Sequence, residues 1–401
     1  MRILLLNSWY YPNLKGGAEH SVKLLAENLV KSGNEVAVFT IDGKDTSLTI
    51  EQINGVNVFR GTGGKYNIRK AYQKKKTKIE SIKNKVLEIY NPSIVKELEI
   101  VLSDFHPNIV HANCIAGISL IAIQYFQSKG LPIVYTLRDY FLDNPKNIIE
   151  KVSWHNPFKK ILLLIYRTYV KKQINNVEAV TAPSTFTLNY YVDNGYFKNV
   201  KYKECIVNSV DINIEEVLNN LKEKSLHAKR NFMYAGSIIK TKGIIPMLEA
   251  FMQTDIDTNL FVCGEGNLIT YVEACAQTDR RIKVLGKLSP DKLADVYVKS
   301  DIMLVPSLWA EPFGRVVIEA AKYGLFVIGS KNGGIPEIIN ELKCGKICNV
   351  NDVELFRKAM LQAYYNNCIT SSNNIIENIS KYDIASQIKS FNKLYNAIIR
   401  I

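Results

Sequence analysis

The chain has 401 residues, of which 47% are apolar and 22% are charged. This composition is typical of a folded globular protein and excludes a disordered chain, and the length is sufficient for two domains of ordinary size. A formal net charge of +13 at pH 7 indicates an anionic partner, which the charge alone does not identify.

Two further observations limit the class of protein. No apolar run reaches 18 residues, as a membrane-spanning helix requires, and the opening MRILLLNS becomes polar too soon for a signal peptide. The seven cysteines are odd in number and scattered, which is typical of reduced thiols and predicts a cytoplasmic protein. Because the five histidines do not cluster with them, we expect no metal site. We expect no cofactor either.

The first half of the chain alternates strand and helix patterns. Residues 2–8 and 35–40 are apolar runs that flank a helical pattern ending at Gly33, which predicts a βαβ unit. The pattern of a strand followed by a polar loop recurs, so we predict a parallel sheet wrapped by helices. The recurrences lie at 107–113, 132–139, 177–184 and 204–209.

A second series of strand patterns follows the charged segment 215–230, which fits either a helix or a linker. We therefore predict two α/β domains, an N-terminal domain of residues 1–207 and a C-terminal domain of residues 208–383. The periodicity of the last residues predicts a helix over 384–401 that packs back on the N-terminal domain. The strand patterns of the second series lie at 231–237, 259–266, 282–289, 301–307 and 325–330.

The loops after the strands are where we expect function, because parallel sheets bind ligands at the carboxyl ends of their strands. Gly16 and Gly17 precede the first helix, where backbone N–H groups can approach a phosphate or a sugar, although such a pair also fits a plain tight turn. Gly236 ends a strand of the second domain. Lys240 and Lys242 follow it before a helix, which fits a cationic clamp for a diphosphate.

The segment EPFGRVVIEA, residues 311–320, places two carboxylates eight residues apart. Eight steps of about 100° put the second acid about 80° around a helix from the first, so one helix face cannot present both. Pro312 suits a first helical turn, which places Glu311 at the loop edge and Glu319 inside the helix. We expect a phosphate at the free N–H groups of this turn, with Glu311 accepting from sugar hydroxyls and Glu319 from a ribose.

These segments carry a resemblance to a known family. GSIIKTKG at 236–243, EPFGRVVIE at 311–319 and NGGIPEII at 332–339 resemble the C-terminal signature of family 4 glycosyltransferases, which are retaining enzymes of GT-B fold. The resemblance extends over nearly the whole chain and implies an α/β GT-B fold, with two Rossmann-like domains whose parallel sheets face a central cleft. Similar N-terminal segments are GGAE at 16–19, IVHAN at 109–113, YTLRDYFLDNP at 135–145, VTAPS at 180–184 and VNSVD at 207–211.

The resemblance implies an acceptor-binding N-terminal domain and a C-terminal domain that binds a nucleotide-sugar donor. Lys242 would bind the donor phosphates, Glu311 the donor sugar and Glu319 the ribose, while Gly16 and Gly17 would line the diphosphate or sugar. The other donor-binding candidates are Gly236, Ser237, Lys240, Glu265, Phe313, Gly314 and Arg315, and the acceptor-side candidates are His111, Asn113 and Asp139.

Two positions depart from the family pattern. Many members have Gly-Arg where this chain has Gly236-Ser237, so one phosphate-binding arginine is absent, and Lys240 or Arg315 would have to replace it. Many members have histidine where this chain has Arg138, so a sugar-contacting histidine is absent as well.

The family's chemistry breaks the bond between the sugar and the diphosphate, and the acceptor attacks from the face that the phosphate leaves. Such a reaction needs positive charge at the leaving diphosphate, and this charge can replace a divalent metal. Our catalytic candidates are Lys242, Arg138 and Glu311.

The function predicted from the sequence is transfer of a sugar from a nucleotide-diphosphate sugar to a lipid-linked or growing glycan, in bacterial-type surface polysaccharide synthesis. Two alternatives on the same architecture remain open. A sugar-nucleotide 2-epimerase would form an epimer without any acceptor, and an inactive GT-B partner subunit would bind nucleotide too weakly to detect. A nucleic-acid binder would explain the charge but not the paired glutamates.

Two basic segments suggest a further partner. Residues 65–85 hold nine Lys or Arg and one acid, whereas residues 154–174 mix basic with aromatic and aliphatic residues and hold no acid. This mixture fits helices on an anionic bilayer, and it also fits a solvated charge run and a buried amphipathic helix. An anionic membrane surface is therefore a candidate partner, with the protein peripheral on the inner face of the cell membrane.

Overall fold

The computed structural model describes residues 1–14, 16–43, 47–66, 68–71, 77–149, 157–224, 230–366 and 372–399. The chain divides into two compact units. Unit 1 contains residues Met1–Ser209 and Ile384–Ile401, and unit 2 contains residues Val210–Asp383. The division between Ser209 and Val210 lies two residues beyond the boundary expected from the sequence.

Strands and helices alternate along most of the chain. The strands of the described residues are β1 (Arg2–Leu6), β2 (Glu35–Thr40), β3 (Thr49–Ile53), β4 (Val56–Arg60), β5 (Ile109–Ala112), β6 (Ile133–Thr136), β7 (Ala179–Ala182), β8 (Tyr202–Cys205), β9 (Phe232–Ala235), β10 (Leu260–Cys263), β11 (Ile282–Gly286), β12 (Ile302–Val305), β13 (Phe326–Ser330) and β14 (Gly345–Cys348). The α-helices are α1 (Gly17–Lys31), α2 (Ile68–Ala71), α3 (Lys78–Ile89), α4 (Val95–Phe105), α5 (Ile121–Ser128), α6 (Pro157–Ile174), α7 (Thr185–Asp193), α8 (Ile214–Lys224), α9 (Ile244–Met252), α10 (Ile269–Thr278), α11 (Pro290–Lys299), α12 (Arg315–Lys322), α13 (Ile335–Leu342), α14 (Val353–Tyr365), α15 (Ser372–Ile379) and α16 (Ile384–Ile399).

The described strands of unit 1 form one sheet in the order β3-β4-β2-β1-β5-β6-β7-β8. Neighbouring strands are parallel except for the pair of β3 and β4. The strand order reverses direction between β1 and β5, so the topological switch point lies there. The two loops at this point are joined, because the Ser8 N–H donates to the Cys114 carbonyl at 2.8 Å and the Cys114 N–H donates to Asn7 Oδ1 at 3.1 Å.

Helix α16 belongs to unit 1 although it follows unit 2 in the sequence. Its apolar residues recur at helical spacing and form one core with α1 and the central strands. The buried apolar side chains of α16 are Ile388, Phe391, Leu394, Tyr395 and Ile398.

The described strands of unit 2 form a second sheet in the order β11-β10-β9-β12-β13-β14, with every neighbouring pair parallel. Its central strands are apolar along their whole length because both faces of the sheet are covered by helices. The switch point of this sheet lies between β9 and β12.

Several elements differ from the sequence-based expectations. Strands β3 and β4 form a hairpin that turns at Asn54-Gly55, where both residues have positive φ, and this adds an antiparallel strand that we did not predict. Strand β8 ends at Cys205, so the residues from Ile206 follow the strand rather than belonging to it. Segment 215–230 is helical as far as Lys224, and residues 225–229 lie outside the described residues.

The two basic segments are described only in part, because residues 67, 72–76 and 154–156 lie outside the described residues. The remaining parts contain α3 and α6. Among the helices that the structure describes, none is both long and apolar enough to cross a membrane.

Candidate active site

The candidate donor site lies at the switch point of the unit 2 sheet. The loop after β9 carries Lys242 at the end of a short 3₁₀ turn, and the loop after β12 carries Glu311. Because β9 and β12 are paired, their carboxyl ends bring these loops together. Doubly wound sheets bind ligands at this position.

Lys242 and Glu311 form an ion pair. Lys242 Nζ lies 2.7 Å from Glu311 Oε1 and 5.5 Å from the ring centre of Trp309. The two side chains are 24% and 15% exposed, so both charges are partly desolvated and still reach solvent. We did not predict Trp309 as a site residue. The sequence indicated it only through its position in the loop, two residues before Glu311.

The backbone of Glu311 is held by the loop after β13. Glu311 forms an isolated parallel bridge with Gly333, and the Gly334 N–H donates to the Glu311 carbonyl at 2.8 Å. Gly333 has a φ of 72°, and a Cβ there would lie 2.2 Å from that carbonyl oxygen. Only glycine combines this left-handed backbone with so close a contact, so the glycine pair positions Glu311.

Helix α12 begins beside Glu311 with an uncapped N-terminus. Its N-cap residue is Gly314, which has a φ of 115° and provides no side chain to accept the first N–H groups. The Val317 N–H donates to the Gly314 carbonyl at 2.9 Å, and the N–H groups of Arg315 and Val316 before it have no side-chain cap and can face an anion. Phe313 is buried with its ring 6.2 Å from that of Tyr382. Pro312 does not begin the helix as we predicted, because the first helical residue is Arg315.

Glu319 lies within α12, one turn beyond Arg315. Arg315 Nε donates to Glu319 Oε1 at 2.8 Å, and the Tyr297 hydroxyl donates to Glu319 Oε2 at 3.3 Å. The Tyr297 ring stacks on that of Tyr323 at 5.0 Å. The positive charge of Arg315 is thus directed at Glu319 in this structure.

The loops after β9 and β10 pack backbone against backbone. A Cβ on Gly264 would lie 1.8 Å from the Gly236 carbonyl oxygen. The two loops can approach this closely because residue 264 is glycine. The Ser237 carbonyl accepts a hydrogen bond from Tyr234, and the side chain of Lys240 is exposed.

Glu265 follows β10 and pairs with Lys287 at 3.0 Å. Both side chains are 69% exposed, so this ion pair contributes little to stability. Its carboxylate therefore stays accessible at the same edge of the sheet as the other donor-binding candidates.

The remaining candidates lie in unit 1. Gly16 is the N-cap of α1 and provides no side-chain cap, and a Cβ on Gly17 would meet nothing within 4 Å. This open N-terminus follows the loop after β1, at the switch point of the unit 1 sheet.

Arg138 follows β6 and is 6% exposed. Its Nε donates to Asn113 Oδ1 at 2.7 Å, and its Nη1 donates to Asn208 Oδ1. Its Nη2 is buried and has no hydrogen-bond acceptor in the described part of the chain. Burial lowers the pKa of Arg138 to about 10.

His111 is fully buried within β5. Its Nδ1 lies 2.6 Å from the Tyr395 hydroxyl of α16, and its Nε2 lies 2.6 Å from Thr136 Oγ1 of β6. Burial lowers its pKa well below the usual range, with a smaller contribution from the charge of Arg138. Both ring nitrogens thus serve to join elements of unit 1.

Asp139 does not pair with the neighbouring Arg138. Its Oδ1 instead accepts the Phe141 N–H at 3.1 Å. Burial raises the pKa of Asp139 to about 6, so this carboxyl titrates close to neutral pH. Burial likewise raises the pKa of the adjacent Cys114 thiol well above its usual range.

The predicted residues therefore form two separate sets. Lys242, Glu311 and the start of α12 are together in unit 2, whereas Arg138 and Asn113 are together in unit 1. In neither described set, nor elsewhere in the described ranges, do three His, Cys, Asp or Glu side chains lie close enough together to hold a metal ion.

Comparisons with known proteins agree with the resemblance. The sequence profile described as Glycosyltransferase Family 4 matches residues 15–201, and the profile described as Glycosyl transferases group 1 matches residues 219–382. An uncharacterized 42.6 kDa protein in the cps region of Klebsiella pneumoniae is 29% identical over 345 residues, which cover 84% of this chain and 87% of that protein.

Two solved structures have the same fold. Sucrose-phosphate synthase from Thermosynechococcus elongatus aligns with a TM-score of 0.73 at 18% identity, covering 100% of this chain and 99% of its own. HepE from Anabaena in complex with UDP-glucose aligns with a TM-score of 0.68 at 16% identity, covering 99% of this chain and 100% of its own. The predicted α/β GT-B fold is confirmed, and the chain belongs to the family 4 glycosyltransferases.

Proposed function

We propose that the protein transfers a sugar from a nucleotide-diphosphate sugar to a lipid-linked or growing glycan, with retention of the anomeric configuration. The observation that carries this proposal is the ion pair of Lys242 and Glu311 beside the uncapped N-terminus of α12, at the switch point of the unit 2 sheet. This arrangement offers positive groups for a diphosphate and a carboxylate for hydroxyl groups within one loop cluster.

In the proposed complex the diphosphate lies at the first N–H groups of α12. Lys242 would exchange Glu311 for a phosphate oxygen, since a charge-assisted hydrogen bond to phosphate replaces the one to the carboxylate. Glu311 would then accept hydrogen bonds from hydroxyl groups of the donor sugar. Glu319 would accept from the ribose hydroxyls, with Arg315 and Tyr297 holding its carboxylate in place.

The proposed mechanism needs no nucleophile from the protein. As the bond between the anomeric carbon and the diphosphate oxygen breaks, negative charge grows on the leaving diphosphate, where Lys242 and the α12 N–H groups stabilise it. The acceptor hydroxyl attacks from the same face and gives its proton to a leaving phosphate oxygen. Because these groups supply the positive charge, we propose that transfer proceeds without a divalent metal or a cofactor.

Two relatives support the nature of the substrates. HepE was solved with UDP-glucose bound, which supports a nucleotide-diphosphate sugar as donor for a chain of the same fold. The Klebsiella relative belongs to a cps region, which supports a role in surface polysaccharide synthesis.

Exposed apolar residues support a membrane surface as partner. On α6, Phe158, Ile161, Leu162 and Ile165 follow a spacing of three, four and seven residues and are each more than half exposed. Lys159 and Lys160 flank them, and α3 presents a similar mixture. Apolar side chains between lysines fit an anionic bilayer, so we propose peripheral binding on the inner face of the cell membrane.

The test begins with the nucleotide. We expect one of UDP, GDP and ADP, each without added metal, to raise the melting temperature of the protein. Lys242→Ala should weaken that nucleotide about 10- to 100-fold, because one charged hydrogen bond is lost, and should lower transfer about 100- to 1,000-fold. The matched control is Lys358→Ala, which removes an exposed lysine of α14.

Three outcomes would contradict the proposal. The first is a folded protein that responds to no nucleotide, as an inactive partner subunit would. The second is an equal loss in the Lys242→Ala and Lys358→Ala variants. The third is conversion of a nucleotide sugar to its 2-epimer in the absence of any acceptor, which a 2-epimerase would give.

A further inference from the structure

Arg138 lies at the carboxyl edge of the unit 1 sheet. It follows β6, and its guanidinium contacts the first residue after β5, Asn113, which borders the switch point. Asn208, the third residue after β8, contacts it from the other side. Ligands of parallel sheets bind along this edge.

Within the described residues, the hydrogen-bond partners of the guanidinium are two neutral amides. The side-chain oxygens of Asn113 and Asn208 accept from Nε and Nη1, and no carboxylate in the described part of the chain forms an ion pair with Arg138. The carboxylate of Glu19 interacts with Arg138 electrostatically and forms no ion pair with it. The two amides accept from Nε and Nη1 only. The buried Nη2 has no acceptor among the described residues.

Three other arginines with mostly buried side chains are paired with carboxylates. Arg60 lies 2.7 Å from Asp42, Arg167 lies 2.6 Å from Asp143, and Arg281 lies 2.6 Å from Asp279. Arg138 is buried to a similar degree and lacks such a carboxylate. A buried charge without a counter-ion is unfavourable unless a ligand supplies one, and a guanidinium matches the planar geometry of an oxyanion.

We infer that Arg138 binds an oxyanion of the acceptor, a carboxylate or a phosphate, and that it selects acidic or phosphorylated acceptors. This inference rests on the proposed function, in which unit 1 holds the acceptor. The oxyanion oxygens accept from Nη2 and its neighbouring N–H groups, and Asn113 and Asn208 orient the guanidinium without neutralising it.

The test uses small anionic sugars as probes on the full chain. Glucuronate, glucose 6-phosphate and glucose are titrated by calorimetry in the presence of saturating UDP, or of whichever nucleoside diphosphate binds, so that the donor site is occupied. We expect one anionic sugar to bind at least 10-fold more tightly than glucose. Preference for glucuronate identifies a carboxylate, and preference for glucose 6-phosphate identifies a phosphate.

Three variants assign this preference to Arg138. Arg138→Gln should abolish the difference between anionic and neutral sugars. Asn208→Asp keeps the arginine and places a carboxylate beside Nη1, so it should also abolish the difference and serves if Arg138→Gln does not fold. Arg138→Lys should retain part of the preference, because it keeps the charge and loses the planar fork.

The outcomes separate this inference from the donor-site proposal. The role of Arg138 would be overturned if the unmodified protein bound anionic and neutral sugars equally. It would also be overturned if Arg138→Gln and Asn208→Asp kept the full preference for anionic sugars. Loss of nucleotide affinity in Arg138→Gln with the sugar preference intact would also overturn it, and would assign the guanidinium to the donor diphosphate. Failure of the donor-site proposal shows instead as absence of any nucleotide response in the unmodified protein.

Discussion

The candidate site residues of the two units differ in how their positive charges are balanced at the carboxyl edges of the sheets. In unit 2, Lys242 pairs with Glu311 and Arg315 pairs with Glu319, so both of these positive groups already have a carboxylate. In unit 1, Arg138 donates to two amides and forms no ion pair with a carboxylate of the described residues. An anion that binds Lys242 or Arg315 must therefore replace a carboxylate in an existing ion pair. An anion that binds Arg138 has no such carboxylate to replace.

The largest expected effect compares two buried arginines within unit 1. Arg60→Gln should lower the free energy of unfolding by about 3–5 kcal/mol, because it leaves the fully buried carboxylate of Asp42 without its positively charged partner. Arg138→Gln should lower it by less than Arg60→Gln does, because removal of a buried charge without a carboxylate partner offsets the loss of the hydrogen bonds to Asn113 and Asn208. Urea unfolding of the full chain measures both. Equal losses in the two variants would show that Arg138 is neutralised within the protein.

A smaller effect concerns pH and the carboxyl beside Arg138. Burial raises the pKa of Asp139 to about 6. The protonated carboxyl therefore stabilises the folded state fully below about pH 4, and this stabilisation is lost as the pH rises through 6. Asp139→Asn does not titrate. Its stability relative to the unmodified protein should therefore increase by at most about 3 kcal/mol between pH 4 and pH 7.5.

Urea unfolding at a series of pH values measures this difference. The exposed Asp193→Asn, at the end of α7, is the matched control and should show no such trend. A constant difference between Asp139→Asn and the unmodified protein across the series would mean that Asp139 is ionised at its contact with the Phe141 N–H.

The smallest effect concerns the surface helices. The exposed apolar side chains of unit 1 are concentrated on α3 and α6, whereas those of unit 2 are scattered over several elements. Ile161→Ser and Ile165→Ser should each weaken binding to vesicles of anionic phospholipid by about 1 kcal/mol, because part of an isoleucine leaves the bilayer.

Cosedimentation with anionic and with neutral vesicles measures this binding. Leu355→Ser, which changes an exposed residue of α14 in unit 2, is the matched control and should bind like the unmodified protein. Equal binding of all three variants would contradict a membrane-facing role for α6.

Most of the fold could be predicted from the sequence because the parallel strands are buried on both faces and appear in the sequence as continuous apolar runs. The hairpin of β3 and β4 was missed although Asn54-Gly55 is a strong turn signal, because β3 lies at the sheet edge with mostly exposed residues and lacks such a run. The start of α12 was predicted close to its place, since it depends on residues adjacent in the sequence.

The candidate site could be predicted from the sequence only where its residues lie close together in the chain. The loop position of Glu311 and the helical position of Glu319 followed from one ten-residue segment. The partners of Arg138 did not, because Asn113 and Asn208 are 25 and 70 residues away and are recognisable only once the sheet has formed. The contact of His111 with Tyr395 spans 284 residues and was equally inaccessible.

The return of α16 to unit 1 has a consequence for the order of folding. Unit 2 is inserted between two segments of unit 1, so a ribosome completes all of unit 2 before it releases the helix that carries Tyr395. Until then Nδ1 of His111 lacks its hydroxyl partner, and the apolar surface of α1 that α16 covers stays exposed. The segment that is synthesised first therefore completes its core last, and a nascent chain is most prone to aggregation over that interval.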